Sequence, residues 1–268
     1  FMHVHLTMEE KSRIRTCDVD PDFNEDEAVE DDTTTTECRS ERIECSNFES
    51  LLLKPEILKG LKNAGYVRPS PIQARAIPIG RIGADLIAQA KSGTGKTVVF
   101  SVILLESIVL DFRKPQALIL SPTRELALQT RDVVRSVAKF MPELGCEVFV
   151  GGIPVSDDVA ILSNPERPSH IVTGTPGRIR ALLEMGALST EGISHLVFDE
   201  ADQLFQDDFL VQMDHIHGCL PQRKQVMAFS ATYPPELLDH VSRYMRDPQR
   251  VLLVRGTAAL RGVRQFYR

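Results

Sequence analysis

No run of 18 or more apolar residues occurs in this 268-residue sequence, so it offers no candidate transmembrane helix. Phe1 to Glu10 lacks the charged start, apolar stretch and small-residue cleavage site of a secretory signal. A chain that opens on Phe rather than Met reads either as an excised piece or as one carrying added residues at its start. No Cys-x-x-Cys pair is present, and the cysteine count is odd: Cys17, Cys38, Cys45, Cys146 and Cys219. Neither a disulfide framework nor a zinc site is expected, and reduced thiols of an intracellular protein are the simple reading. Internal repeats are lacking. So is a positive net charge: the formal value is −6, which at first sight argues against a polyanionic partner.

The charge is unevenly spread. Residues 1–47 hold fourteen acids and five bases, a balance of −9, which leaves +3 for the remainder. Acids crowd Asp18 to Asp32, and Thr33 to Thr36 follow. So few apolar residues cannot offset ordering entropy, and residues 1–45 are expected to form an acidic, disordered tail. Residues 46–268 then carry the folded domain. It is mildly basic, which gives weak support for a nucleic-acid partner, because a local patch matters more than a total.

From Phe48 the pattern changes. Leu51, Ile57, Leu58 and Leu61 suggest a short helical region ending near Gly65. Strands are expected over Asp85–Ala90, Ala117–Leu120, Glu147–Val150, Ile171–Thr173, Leu196–Phe198, Gln225–Phe229 and Val251–Val254. They are short and rich in Ile, Leu and Val, as strands buried on both faces should be. Helices are expected between them, over Lys96–Leu110, Glu125–Phe140, Gly177–Met185 and Pro235–Met245. This alternation predicts an α/β domain, a mostly parallel central sheet with helices on both faces. Ligands of such sheets bind at the carboxyl ends of the strands.

Two segments carry chemistry. Ala90-Lys91-Ser92-Gly93-Thr94-Gly95-Lys96-Thr97 follows a strand and opens a helix, which is the setting of a phosphate-binding P-loop. The glycines let backbone N–H groups face phosphates, and the helix adds the positive end of its dipole. Lys96 is placed to reach the β- and γ-phosphates of a nucleotide, and Thr97 to ligate Mg²⁺. The usual leading Gly is Ala90 here, and such a turn also occurs merely to cap a helix. Further on, a strand runs into Asp199-Glu200-Ala201-Asp202. Asp199 is placed to hold Mg²⁺ and Glu200 to orient or deprotonate the attacking water. Adjacent acids at a strand tip also serve as helix caps. The two segments need each other chemically, which favours the catalytic reading of both.

Asp199-Glu-Ala-Asp202 resembles the tetrad that names the DEAD-box RNA helicases. Gly65-Tyr66-Val-Arg68-Pro-Ser-Pro-Ile-Gln73, with Phe48 upstream, resembles that family's Q motif. Pro122-Thr123-Arg124-Glu-Leu-Ala127, Gly151-Gly152 and Thr175-Pro-Gly177-Arg178 resemble its RNA-contacting motifs. Ser230-Ala-Thr232 resembles the motif that couples hydrolysis to RNA binding. The match spans about residues 48–255, in family order, and Ala90 is normal within it. The resemblance implies the first of two RecA-like domains, with ATP and Mg²⁺ as cofactors and RNA as partner. It implies that Gln73 reads an adenine edge, that Tyr66 stacks on the base and that Arg68 lies where the loop passes it. It implies RNA-backbone contacts by Pro122, Thr123, Arg124, Gly152, Thr175, Gly177 and Arg178, with Arg124 equally able to pair with an acid of the fold. It also implies a bond from Ser230 or Thr232 to Asp202 that links nucleotide state to domain closure.

Ser230-Ala-Thr-Tyr233-Pro234, Tyr244-Met-Arg-Asp-Pro248, Ala88-Gln-Ala-Lys91 and Arg68-Pro-Ser-Pro71 are similar to the gemin-class helicases of the SMN complex. That narrower likeness implies a role in spliceosomal snRNP assembly, protein partners in an SMN-type complex, and work in cytoplasm and nucleus. No His-Arg-x-Gly-Arg-x-x-Arg segment occurs, and Arg255, Arg261 and Arg264 lack that context. The second RecA-like domain is therefore expected to be absent, and the isolated chain nearly inactive. Two other readings stay open: a nucleotide-binding scaffold of an assembly complex, and a DNA helicase or other P-loop ATPase.

Overall fold

The computed structural model describes residues 47–253. The expected acidic tail, Val254 of the last expected strand and the arginines beyond it lie outside the described residues. Seven strands form one sheet: β1 (Leu86–Gln89), β2 (Ala117–Leu120), β3 (Cys146–Phe149), β4 (Ile171–Gly174), β5 (His195–Asp199), β6 (Gln225–Ser230) and β7 (Gln249–Leu252). Their order is β3-β4-β2-β5-β6-β1-β7. Every pairing is parallel, in registers such as Leu86↔Met227 and Ala117↔His195. All strands therefore point their carboxyl ends at one edge of the domain.

The central strands are largely apolar because both faces are covered. Leu86 and Ala88 belong to one core, and Ile87 between them to the other. The same alternation sends Ala117 and Ile119 one way and Leu118 and Leu120 the other. Helices α1 (Pro55–Asn63), α2 (Pro71–Arg81), α3 (Lys96–Ser107) and α4 (Arg124–Val137) build the first core. Helices α5 (Val155–Leu162), α6 (Pro176–Glu184), α7 (Ala201–Leu204), α8 (Asp207–Cys219) and α9 (Pro235–Ser242) pack on the second. Helix α3 is apolar all round, and Val98 through Leu105 are all buried, as befits a helix enclosed on every side. Phe100 of α3 meets Phe229 of β6 edge-on, with ring centroids 5.1 Å apart.

The expected strands and helices appear within a few residues of their read bounds. Helices α2, α5, α7 and α8 lie outside the expected helices. Helix α2 opens with Pro71 after an N-terminal cap at Ser70, and Gln73 closes a capping box three residues on. Cys146 is buried, and burial pushes its thiol up to about 12, so it behaves as a core side chain. Among the described residues no helix is long and apolar enough to cross a membrane.

Candidate nucleotide and nucleic-acid site

The phosphate loop joins β1 to α3 at the carboxyl edge of the sheet. Ala90 N–H donates to Ser230 O of the neighbouring strand, at 3.2 Å. Within the loop the Thr94 hydroxyl donates to Lys91 O at 2.7 Å and sets the turn. Gly95 caps α3 at φ +88°, and no side chain caps the helix in its place. A Cβ there would stand 2.2 Å from Gln73 Nε2, so the position requires glycine both for its φ and for its neighbour. Gln73 is buried and both ends of its amide are engaged: Oε1 accepts from Ser70 N–H at 2.8 Å and Nε2 donates to Gly95 O at 3.2 Å. The Ser70 hydroxyl donates to Thr94 O at 2.8 Å. The Q-motif segment is thus strapped onto the phosphate loop. Each end of the Gln73 amide keeps one further hydrogen-bonding valence. Lys91, Ser92, Gly93 and Thr97 stand around the same turn, with Ser92 and Gly93 exposed and Gly93 also at positive φ. Tyr66 is half-buried and lines a surface hollow with Leu128, Gln129 and Val133 of α4. No hydrogen bond among the described residues joins Tyr66 or the exposed Arg68 to the loop.

The acidic tetrad starts at the last residue of β5. Lys96 is only 6% exposed, and its ammonium lies 3.3 Å from Glu200 Oε2. Glu200 precedes α7 at φ +52°, ψ +58°, a left-handed conformation costly for a non-glycine residue, and its side chain makes no capping bond. The helix-cap alternative is therefore set aside for Glu200. Asp199 is buried beside it and accepts from the Thr130 hydroxyl at 3.1 Å. Burial first, then the charge of Glu200, push the Asp199 carboxyl up to about 6, while the Thr130 bond and Lys96 pull it down. Two adjoining carboxylates with one shared ammonium suit a divalent cation. Among the described residues no three His, Cys, Asp or Glu side chains cluster closely enough to hold a metal alone. Mg²⁺ characteristically takes one or two carboxylates and completes its shell with phosphate and water, so Asp199 and Thr97 fit it.

Thr232 Oγ1 donates to Asp202 Oδ2 at 3.1 Å, which is the expected link between the strand after β6 and the tetrad. Ser230 takes another part: its hydroxyl accepts Thr232 N–H at 3.2 Å and orients the turn. Among the described residues, Asp202 Oδ1 and the Tyr233 hydroxyl are buried there without hydrogen-bond partners. Burial, then Asp202 and Glu200, raise the Tyr233 phenol well above its ordinary value.

The remaining motif residues gather on the other half of the same edge, after β2, β4 and β3, which are neighbours in the sheet. Pro122 and Thr123 lead into α4, where Thr123 Oγ1 accepts Leu126 N–H at 3.3 Å. Thr175, Pro176 and Gly177 open α6. Two helix N-termini therefore present N–H groups and positive dipole ends on one surface. Gly152 lies beside them at φ +86°, and a Cβ there would stand 2.0 Å from Arg124 Nη1. Arg124 is exposed and forms no ion pair among the described residues, so the internal pairing considered for it is not made. Arg178 differs from the outward cation read in the sequence. Its guanidinium is buried against Asp158 Oδ2 at 2.5 Å and donates to Ile153 O at 2.5 Å. It holds the Gly152 loop to α5. Burial raises the Asp158 carboxyl, and Arg178 opposes that rise.

Sequence reasoning missed Thr130, Asp158 and the Lys96–Glu200 pair. Thr130 sits mid-helix in α4, on the face that carries the buried Ala127 and Val134. A hydroxyl on that apolar face was its only signal.

A family model described as DEAD/DEAH box helicase matches residues 70–240. The chain is 47% identical over 225 residues to the mouse (Mus musculus) "Probable ATP-dependent RNA helicase DDX20", covering 84% of this chain and 27% of that protein. It is 40% identical over 222 residues to the "ATP-dependent RNA helicase eIF4A" of Yarrowia lipolytica, covering 83% and 55%. Among solved structures, Saccharomyces cerevisiae Dbp5 bound to RNA and ADP BeF3 superposes with a TM-score of 0.69 at 31% identity, covering 78% of this chain and 52% of that one. A DEAD box protein from Methanococcus jannaschii superposes with a TM-score of 0.70 at 31% identity, covering 77% and 55%. The chain thus spans from about a quarter to about half the length of these relatives. By this match, and by a RecA-like sheet carrying the motifs along one edge, the chain belongs to the DEAD/DEAH box helicase family.

Proposed function

We propose that this chain is the ATP-binding domain of an ATP-dependent RNA helicase. The observation that carries the reading is the shared edge: β1, β6 and β5 end in the phosphate loop, Thr232 and the tetrad, while β2, β4 and β3 end in the backbone-binding surface. Thr130 of α4 bonds to Asp199, so the helix that opens at the nucleic-acid surface is tied to the nucleotide site.

The loop amides and Lys96 would cradle the phosphates. Lys96 is held by Glu200, and phosphate oxygens would compete for that ammonium and release the Glu200 carboxylate. Glu200 would then accept a proton from the water whose oxygen attacks the γ-phosphorus. The bond from that phosphorus to the bridging oxygen breaks, and ADP leaves with the bonding electrons. Mg²⁺, held by Asp199 and Thr97, would supply neutralisation of charge on the phosphates. Gln73 has one acceptor and one donor valence left for the adenine N6–H and N7. Guanine offers an acceptor where adenine offers that donor, so ATP is the favoured nucleotide. Tyr66 and Arg68 would border the base. Thr123, Arg124, Gly152, Thr175 and Gly177 would contact phosphate and sugar with little sequence preference, and the 2′-hydroxyl would distinguish RNA.

A second RecA-like domain would complete the site with arginines, worth about 10³–10⁵ in rate in related phosphoryl transfer. The likeness to DDX20 supports the finer reading of a remodelling motor for spliceosomal snRNP assembly, in an SMN-type complex of cytoplasm and nucleus. The test is ATP turnover by the longer natural protein with and without RNA. RNA-stimulated turnover lost in Glu200→Gln supports the motor. An assembly activity that survives Glu200→Gln supports a scaffold instead.

A further inference from the structure

The opposite edge of the sheet carries a second feature. Because all strands run parallel, Asp85 before β1, Lys224 before β6 and Arg246 before β7 lie at the amino edge, away from the nucleotide site. There a hollow of about 370 Å³ opens, with Lys224, Arg243, Arg246 and His217 in its wall and Leu220 and Val226 among its apolar lining. Lys224 and Arg246 also border a second hollow, of about 490 Å³, which adds Arg223 and Ser194.

The cations here differ from the seven paired ones of the fold. Arg81, Lys96, Lys114, Arg131, Arg135, Arg178 and Arg180 each meet a carboxylate. Among the described residues, Arg223, Lys224, Arg243 and Arg246 form no ion pair. Lys224 Nζ donates only to Pro221 O at 3.0 Å, and Arg246 Nη2 to Gln222 O at 2.7 Å. The acid within the hollow, Asp85, is committed: Oδ1 accepts Val226 N–H at 2.7 Å and Oδ2 accepts Arg246 N–H at 2.6 Å. Asp214 beside it accepts the Tyr244 hydroxyl. The Lys224 ammonium is lowered by burial and then by Arg246, while the Asp85 carboxylate opposes that fall, so the cations repel one another across the wall and Asp85 offsets part of their charge.

We propose that this hollow binds a phosphate monoester, carried either by a small molecule or by a phosphorylated side chain of a partner protein. A dianion matches several convergent cations better than a single carboxylate does, and guanidinium and ammonium donors suit its three terminal oxygens. A concave wall with an apolar lining admits one tetrahedral group, whereas a nucleic-acid backbone asks for an extended track. The backbone-type surface of this domain lies on the other edge.

The test is amide NMR of the 268-residue chain titrated with inorganic phosphate, pyrophosphate, a phosphoserine peptide and its unphosphorylated counterpart. The amides of Gly218, Lys224 and Met245 should shift saturably with the phosphorylated probes only. Lys224→Gln with Arg246→Gln should weaken that response by about tenfold or more, while amides of Gly93 to Lys96 still respond to pyrophosphate. Arg243→Gln, at an exposed site whose side chain makes no hydrogen bond among the described residues, should weaken it without risk to folding. Tighter binding of the phosphopeptide than of free phosphate assigns the site to a partner protein, and the reverse order to a small molecule. No shift at tens of millimolar phosphate, an equal shift in the variants, or an equal response to the unphosphorylated peptide would overturn the proposal.

Discussion

Replacing Gln73 by alanine separates two jobs that the structure assigns to one amide. The side chain straps α2 to the phosphate loop through Ser70 N–H and Gly95 O, at 2.8 and 3.2 Å. Its two unused valences are the ones proposed to read adenine. Loss of the strap costs about 1–2 kcal/mol of folding stability at a net value of roughly 1 kcal/mol per neutral hydrogen bond. In a domain of this size that lowers Tm by about 2–8 °C. Loss of the two bonds to adenine costs another ~2 kcal/mol, about thirtyfold in ATP affinity. GTP cannot use those bonds, so its affinity should fall only by what the loosened loop costs. Gln73→Glu retains the acceptors and loses the donors, and should lie between. Calorimetric titration with Mg-ATP and Mg-GTP reads each affinity, and a thermal melt reads the strap. A fall of ATP and GTP by the same factor would refute adenine reading and leave Gln73 as a strap alone.

Asp199 is raised from 3.8 to about 6, so the folded state holds more protons than the unfolded state between those values. Stability should therefore fall as pH rises through that window, and Asp199→Asn should abolish the fall, raising stability at pH 7 by up to about 3 kcal/mol in a melt while removing hydrolysis. Arg178→Met leaves Asp158 buried without its cation and should cost roughly 3–5 kcal/mol in chemical denaturation, with Asp158→Asn in the same chain restoring part of it. Thr232→Val removes the bond to Asp202 and should leave ATP affinity within about twofold while cutting RNA stimulation of turnover by roughly tenfold in the longer protein.

The strands were legible because burial on both faces fills their centres with Ile, Leu, Val, Ala and Phe: Ala117–Leu120 was bounded to the residue. Helix α3 was legible for the same reason. Helix α2 was not, because its first turn is Pro-Ile-Gln and Pro78 sits inside it, which reads as a break, while the Ser70–Gln73 capping box that fixes its start is a short-range signal. The candidate site was legible wherever one residue type is demanded, as at Gly95, Lys96 and Asp199. It was illegible wherever a pairing decides the role. Arg124 and Arg178 are alike in sequence, yet one is exposed over Gly152 and the other is buried against Asp158, and nothing local to either predicts that Asp158 stands 20 residues away in reach of the second.

Whether this domain holds ATP by its phosphate loop is measured most directly by titration of the chain with Mg-ATP, wild type against Lys96→Ala. Saturable binding that Lys96→Ala weakens by about tenfold or more, as the loss of a charge-assisted contact requires, is the predicted result. Binding that is absent from the folded wild type, or equal in the two chains, would contradict it.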